Sequence, residues 1–362
     1  MSKAAELAAL IGSQTALSNR NLIINGKFSI FQRGTGATTV NGNDVFAADR
    51  FKGWANGGGT YTVEQSTDVP NNEFEYSAKL TNTGVDSSVA AGDNYRWATD
   101  IEGYNVSQLG YGHSDAKAVT LSFWVKSSLA GTYCGALYST TASRHYIYEY
   151  TISSANTWEK KTITVSSGDT TGSWNKTNGN GLRIYWGFGS GSTYQGTAGA
   201  WTAGEKWETS NQAAWIGSAS ATFFITGVQL ELGETATPFE HRSYGDELAR
   251  CQRYFYNFAD GSVDSDAPIS VGTYYSTNII YSGVKLPVTM RAAPTLVTAS
   301  GTSYYVAFRA ADSDPFDSIV LSLSTPDYLE FNGQTNVSGT AGHGCFLRLN
   351  NASAKLQLDA EL

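Results

Sequence analysis

Enzymatic chemistry needs a constellation of side chains, and this sequence offers few. Its four histidines, His113, His145, His241 and His343, are scattered, with none four residues from another or beside a cysteine pair. The usual zinc spacings are therefore missing. No Gly-x-Ser-x-Gly elbow, phosphate loop or dinucleotide fingerprint occurs. Paired carboxylates, which cut polysaccharides, can come from distant parts of a chain, and with 32 acidic residues some pair is always at hand. Glu73 with Glu75 and Glu205 with Glu208 are such pairs. Both read as solvated loop charges, and no catalytic residue is assigned.

Binding chemistry is better supported. Sugars present apolar faces that stack on flat rings, while their hydroxyls reach Asn, Asp, Gln and Arg. Between Trp174 and Trp215 lie Trp174, Tyr185, Trp186, Tyr194, Trp201, Trp207 and Trp215, separated by Gly, Ser, Thr and Asn. Strand alternation turns Tyr185 or Trp186 inward, and Trp215 reads as cover for a sheet edge. Trp201 and Trp207 flank Thr-Ala-Gly-Glu-Lys and read as loop residues. Trp174, Tyr194, Trp201 and Trp207 are the candidate carbohydrate-binding rings; packing between subunits, where Tyr and Trp are also enriched, is the alternative.

The elements that must position these rings are strands. Charged residues make up only 15% and aromatics 13%, with 38 Gly, and short Gly-punctuated runs of Thr, Val, Tyr and Phe recur from about residue 20 to the end. This predicts an all-β chain. About ten strands fit residues 21–233, among them Leu22–Ile24, Phe28–Phe31, Tyr76–Leu80 and Val119–Val125, which is jelly-roll arithmetic. Residues 259–362 suit a small C-terminal β-sandwich, its last strand an edge guarded by Lys355, Asp359 and Glu361. Between them, residues 234–258 form a linker. Gly233 is free to take φ > 0 and Pro238 ends the ladder. A short helix follows, with Asp246 and Glu247 near its start and Arg250 and Arg253 near its end. At the other end, Lys3–Ile11 is a short helix with Ala4, Leu7, Ala8 and Ile11 on one face. Leu7, Leu10 and Ile11 are the candidate docking residues of a 1–20 anchor and tether, the alternative being a frayed terminus.

The run Gly227–Gly233, then Ala236-Thr-Pro-Phe-Glu-His-Arg242, then Glu247–Tyr254 resembles the junction in bacteriophage tail-fibre and virion-surface proteins. There it joins a jelly roll resembling a carbohydrate-binding module to a C-terminal β-domain. Asn21–Phe28 with Phe31-Gln-Arg33, and Leu286–Pro294, resemble the start of each domain. The resemblance implies a non-enzymatic fibre or other surface protein of a virion, homotrimeric, docked through its N-terminus and displaying β-domains for host-surface glycan. A decoration or cement protein of capsid or tail is the alternative, and a polysaccharide depolymerase a further one. The resemblance also implies a structural calcium, for which Asn25, Asp44, Asp49 and Glu231 are the oxygen donors. Ordinary loop acids are the plainer reading, since no EF-hand-like spacing is present, and no other cofactor is expected.

A net charge of −8 lacks the basic footprint of nucleic-acid binding. Cys134, Cys251 and Cys345, odd in number and widely spaced, predict no disulfide framework. Nothing approaches the roughly 20 apolar residues of a membrane span, and the first residues lack the n- and h-regions of a secretion signal. Assembly in the host cytoplasm, with release by lysis, is the expectation.

Overall fold

In the computed structural model, which describes residues 19–309 and 312–362, strands dominate as expected. The residues Leu7, Leu10 and Ile11 lie outside the described part. The chain divides into one compact unit running through Glu247, with Leu362, and a second of Leu248–Glu361.

The N-terminal unit is a sandwich of two antiparallel sheets. Its strands are β1 (Thr38–Val40), β2 (Val45–Phe46), β3 (Phe51–Asn56), β4 (Thr60–Ser66), β5 (Ser77–Gly84), β6 (Asn94–Glu102), β7 (Val119–Ser127), β8 (Gly131–Ser139), β9 (Arg144–Ile152), β10 (Glu159–Val165), β11 (Asn180–Gly187), β12 (Trp201–Ala203) and β13 (Thr222–Leu232). One sheet runs β1-β4-β5-β13-β7-β10, and the other β12-β9-β8-β11-β6-β3-β2. Alternation decides the core. On β6, Tyr95, Trp97 and Ile101 enter the space between the sheets, joined by Phe51, Leu121, Phe123, Ile184, Trp186 and Ile225. The side chains between them face the other way, onto the outer side of the sheet.

β13 is the hub of its sheet, pairing with β5 and β7. Its ladder shifts register between Thr226 and Gln229, where Gly227 has φ +62°. This is a β-bulge that needs a glycine. A Cβ there would also lie 2.7 Å from the buried Phe74 ring. Gly227→Ala is expected to cost roughly 1–3 kcal/mol, from left-handed strain plus overpacking. Chemical denaturation of the purified protein measures it; a cost under about 0.5 kcal/mol would mean the bulge rearranges freely.

Two expectations need correction. Leu22–Ile24 and Phe28–Phe31 form no strand. Asn25 and Phe28 take positive φ, 61° and 54°, which breaks any extended run. The segment is instead tied beside β13 by Leu22 N donating to Leu230 O and Asn21 Nδ2 to Val228 O. The last strand is no guarded edge either, as the second unit shows.

That unit contains β14 (Phe255–Asp260), β15 (Pro268–Ser276), β16 (Ile279–Lys285), β17 (Thr295–Thr298), β18 (Tyr305–Arg309), β19 (Asp312–Phe316), β20 (Ser318–Ser324), β21 (Tyr328–Gln334), β22 (Gly344–Leu349) and β23 (Lys355–Asp359). A small sheet, β14-β23-β17, faces a larger one, β19-β18-β22-β15-β16-β21-β20. β23 is the centre of its sheet, paired on both sides. Leu356 and Leu358 meet Tyr274, Tyr305, Phe316, Phe331 and Leu347 in the core. The connecting helix spans Tyr244–Gln252, with Asp246 and Glu247 in its first turn and Arg250 in its last. Ser243 caps it by accepting from Asp246 N at 3.2 Å. Gly233, at φ +98°, ends β13 as the sequence predicts.

Candidate functional site

The four rings chosen from the sequence part into two groups. Trp174 and Trp201 meet edge-to-face, 5.5 Å between centroids, and both contact Tyr111. Trp201 is half-buried, its indole donating to Ser167 O at 3.0 Å, while Trp174 is buried and donates to Thr171 O at 3.0 Å. Tyr194 and Trp207 lie elsewhere, stacked with centroids 4.2 Å apart. Trp207, expected on a loop surface, is wholly buried. None of the four is an open platform.

The reason lies in the seven-stranded sheet of the N-terminal unit. Its outer face carries Trp54, Ala98, Ala136, Tyr138, Ile147 and Tyr185, which form a second apolar cluster with Trp207. A sheet apolar on both faces has to be covered on both, and here Tyr194 and Trp207, from the chain that follows β11, join the cover. A sequence signal existed: β3 and β6 interleave Trp54 and Ala98 with inward-facing Phe51 and Trp97, so their apolar residues do not keep to one parity.

Charges are threaded through this cover. The Arg96 guanidinium sits 4.5 Å from the Trp54 ring centroid, 4.7 Å from Tyr185 and 4.0 Å from Trp207. It pairs with Glu205 at 3.2 Å, and Glu205 also accepts from Tyr185 Oη at 2.9 Å. Burial alone would raise the Asp100 carboxyl, but Arg183 and Lys52, the latter at 2.8 Å, outweigh it and hold the group well below the usual carboxylate range. Glu208 is the opposite case. Burial pushes its carboxyl up to about 7, although Ser190 N at 2.6 Å, Gly189 N at 3.1 Å and Ser190 Oγ donate to it. Glu205 and Glu208 thus serve separate networks, and Glu208 is closed to solvent.

The four proposed calcium donors are not brought together either. Asn25 Nδ2 donates to Ile30 O and Asp49 O, while Asp49 accepts from Gln32 Nε2 at 2.6 Å. Asp44 pairs with Lys52 at 2.9 Å, and Glu231 accepts from Thr237 N at 2.8 Å. Among the described residues no three His, Cys, Asp or Glu side chains are placed to share one metal ion.

Open aromatic surface lies instead on the C-terminal unit. On β22 Cys345, Leu347 and Leu349 are buried, so Gly344, Phe346 and Arg348 face out. Phe346 pairs in register with Val271 on β15 and Phe308 on β18, a row across three strands with exposures of 63%, 65% and 39%. One step along, Gly344 pairs with Thr273, which pairs with Tyr281. The missing side chain at Gly344 leaves a trough, since a Cβ there would approach only Gly272 O, at 4.0 Å. Tyr275, 74% exposed, meets Tyr281 edge-to-face at 5.4 Å. Tyr328 is also exposed and lies over Gly283. An open cavity of about 710 Å³ runs along Val271, Phe308, Ser313, Gly344 and Phe346.

No family model and no curated protein matches this chain. Among solved structures it is similar to the enzymatically active domain of tailspike protein 4 from bacteriophage CBA120, at 14% identity, covering 59% of this chain and 22% of that one, with a TM-score of 0.31. It is similar also to a family 11 carbohydrate-binding module from Clostridium thermocellum, in complex with a β-1,3-1,4-mixed-linked tetrasaccharide, at 12% identity, 57% and 99% coverage and a TM-score of 0.29. A xylan-binding domain from Paenibacillus barcinonensis gives 10%, 56% and 98%, with a TM-score of 0.27. Scores of this size leave the sandwich to stand on its own strands.

An exposed row of rings on a rigid sheet can do two things. It can stack on the apolar faces of sugars, with Arg348, Thr273 and Glu330 nearby as polar partners, or it can be buried against another protein. Rings held by a ladder lose little entropy on binding, which favours both uses.

Proposed function

We propose that this chain is a non-enzymatic structural protein of a phage virion surface, a fibre or similar appendage, that binds host-surface glycan through the outer face of its C-terminal seven-stranded sheet. The observation that carries the reading is the in-register exposed row Phe308–Phe346–Val271 beside Tyr275 and Tyr281. It is exposed in-register aromatic surface, whereas Trp174 and Trp207 of the N-terminal unit are buried. The virion setting is supported by the resemblance of the Gly227–Tyr254 junction, and a homotrimer docked through residues 1–20 belongs to the same proposal. Several weak contacts on one particle then add by avidity.

The apolar character of Phe308, Phe346 and Val271 favours one other reading, a face buried between subunits of a decoration protein. Retention of the full chain on immobilised bacterial surface polysaccharides separates the two. Tyr275→Ala and Phe346→Ala are each expected to weaken retention about tenfold, while stability stays within about 0.5 kcal/mol, as for other surface positions. If no polysaccharide retains the protein and Phe346→Ala converts an oligomer to a monomer by light scattering, the face is a subunit interface. Release of reducing ends from the polysaccharide would overturn the non-enzymatic part.

A further inference from the structure

A second pocket, of about 190 Å³, lies in the N-terminal unit and is lined by polar residues alone: Lys27, Ser29, Asn72, Glu73, Glu75, Tyr76 and His241. Three distant stretches converge there. The irregular segment before β1 contributes Lys27 and Ser29, the β4–β5 connection contributes Asn72 to Tyr76, and the exit from β13 contributes His241. The walls are fixed from behind. Phe74 is buried and its ring meets Phe239 at 5.3 Å and His241 at 5.7 Å, while Glu73 N donates to Asn71 Oδ1 at 2.9 Å and Gln65 Nε2 to Phe28 O at 2.9 Å. The site is therefore preformed rather than a gap between loose loops.

The lining sets the chemistry. Lys27 carries a positive charge, Glu73 and Glu75 negative ones, and burial together with the nearby Lys27 holds the His241 imidazole below its usual range, towards the neutral form. The pocket is thus mildly acidic, which disfavours an anionic ligand. Among the described residues no three His, Cys, Asp or Glu side chains converge on a point that could hold a metal ion. What remains is a lining of hydrogen-bonding groups, two carboxylates, an amide, an imidazole and a phenol, around a space of about 190 Å³. Vicinal hydroxyls match carboxylate oxygens in pairs.

We propose that this pocket binds a single uncharged pyranose residue, its hydroxyls held by Glu73, Glu75 and Asn72. It would be a glycan contact separate from the open face of the C-terminal unit, and it rests on the same premise that the chain binds glycan. Saturation-transfer NMR on the full chain carrying Phe346→Ala, which removes the C-terminal face from the readout, with methyl glycosides of neutral hexoses, N-acetylhexosamines and a hexuronic acid as probes, tests it. Transfer is expected for one or more neutral sugars and not for the uronate. Glu73→Gln with Glu75→Gln, at exposed positions, should weaken binding about tenfold or more, as expected for lost charge-assisted hydrogen bonds. Asn72→Ala should weaken it too. The proposal is overturned if the uronate binds as well as the neutral sugars, if the paired glutamine variant binds normally, or if no monosaccharide binds. When polysaccharide is still retained in that last case, the pocket alone has failed. If monosaccharide binding survives Phe346→Ala while polysaccharide retention never depended on Tyr275 or Phe346, the C-terminal face has failed and the pocket stands.

Discussion

Trp207→Ala is expected to lower the unfolding free energy of the N-terminal unit by about 3–5 kcal/mol, the range for truncating a buried Trp. The side chain is wholly buried on the outer face of the seven-stranded sheet. Its loss removes the Tyr194 stack and the indole donor to Ser190 Oγ at 3.0 Å, and it leaves the Arg96 guanidinium facing a cavity where a ring stood 4.0 Å away. The last of these moves the estimate toward the upper end, because a buried cation tolerates lost neighbours poorly. Trp207→Phe keeps a ring and much of the volume, so roughly half the cost should return. Urea denaturation of the two variants beside the parent measures both. A Trp207→Ala cost below about 1 kcal/mol would show that the cover over this face is dispensable and that the rings beneath it can be exposed.

The burial of Trp207 marks where sequence reasoning ran out. The strands were legible because period-two alternation and Gly punctuation are local, so β5 and β7 stand where Tyr76–Leu80 and Val119–Val125 predicted them. Gly233 and the helix after it were legible for the same reason. Which rings are free was not, because that depends on what folds over a face. Trp201 and Trp207, six residues apart in a Gly-rich stretch, look alike in sequence. One ends among Tyr111, Tyr146 and Trp174, the other over Arg96. Conversely, Phe346 and Val271 read as ordinary strand residues, and only the register of three strands shows that they form one exposed row with Phe308. The polar pocket was still less visible. Glu73 and Glu75 stand out as a carboxylate pair, but Ser29 and His241 reach them from about 44 and 166 residues away, a convergence that only the sandwich creates.

Glu208 gives the second large expectation, in the dependence of stability on pH. Its carboxyl rises from an ordinary 4.5 to about 7 because burial penalises the anion more than its hydrogen bonds to Ser190 and Gly189 reward it. A group whose folded value is raised favours the fold fully below its unfolded value. That contribution is lost as pH rises from about 4.5 through about 7. A rise of about 2.5 at 1.36 kcal/mol per pH unit makes the loss roughly 3 kcal/mol, complete by about pH 8. Asp100 acts in the opposite sense and in a separate window. Held low by Arg183 and Lys52, it supports the fold above its unfolded value near 4 and withdraws that support in more acidic solution. The N-terminal unit should therefore be most stable near pH 5 and weaken towards pH 8. Glu208→Gln, which keeps the acceptor oxygen and never ionises, should flatten the alkaline limb. It is expected to be close to the parent at pH 5 and up to about 3 kcal/mol more stable at pH 8, read from urea unfolding at both values. Parallel curves for parent and variant would mean that Glu208 ionises without cost, and that water or a cation reaches the base of the segment that carries Trp207.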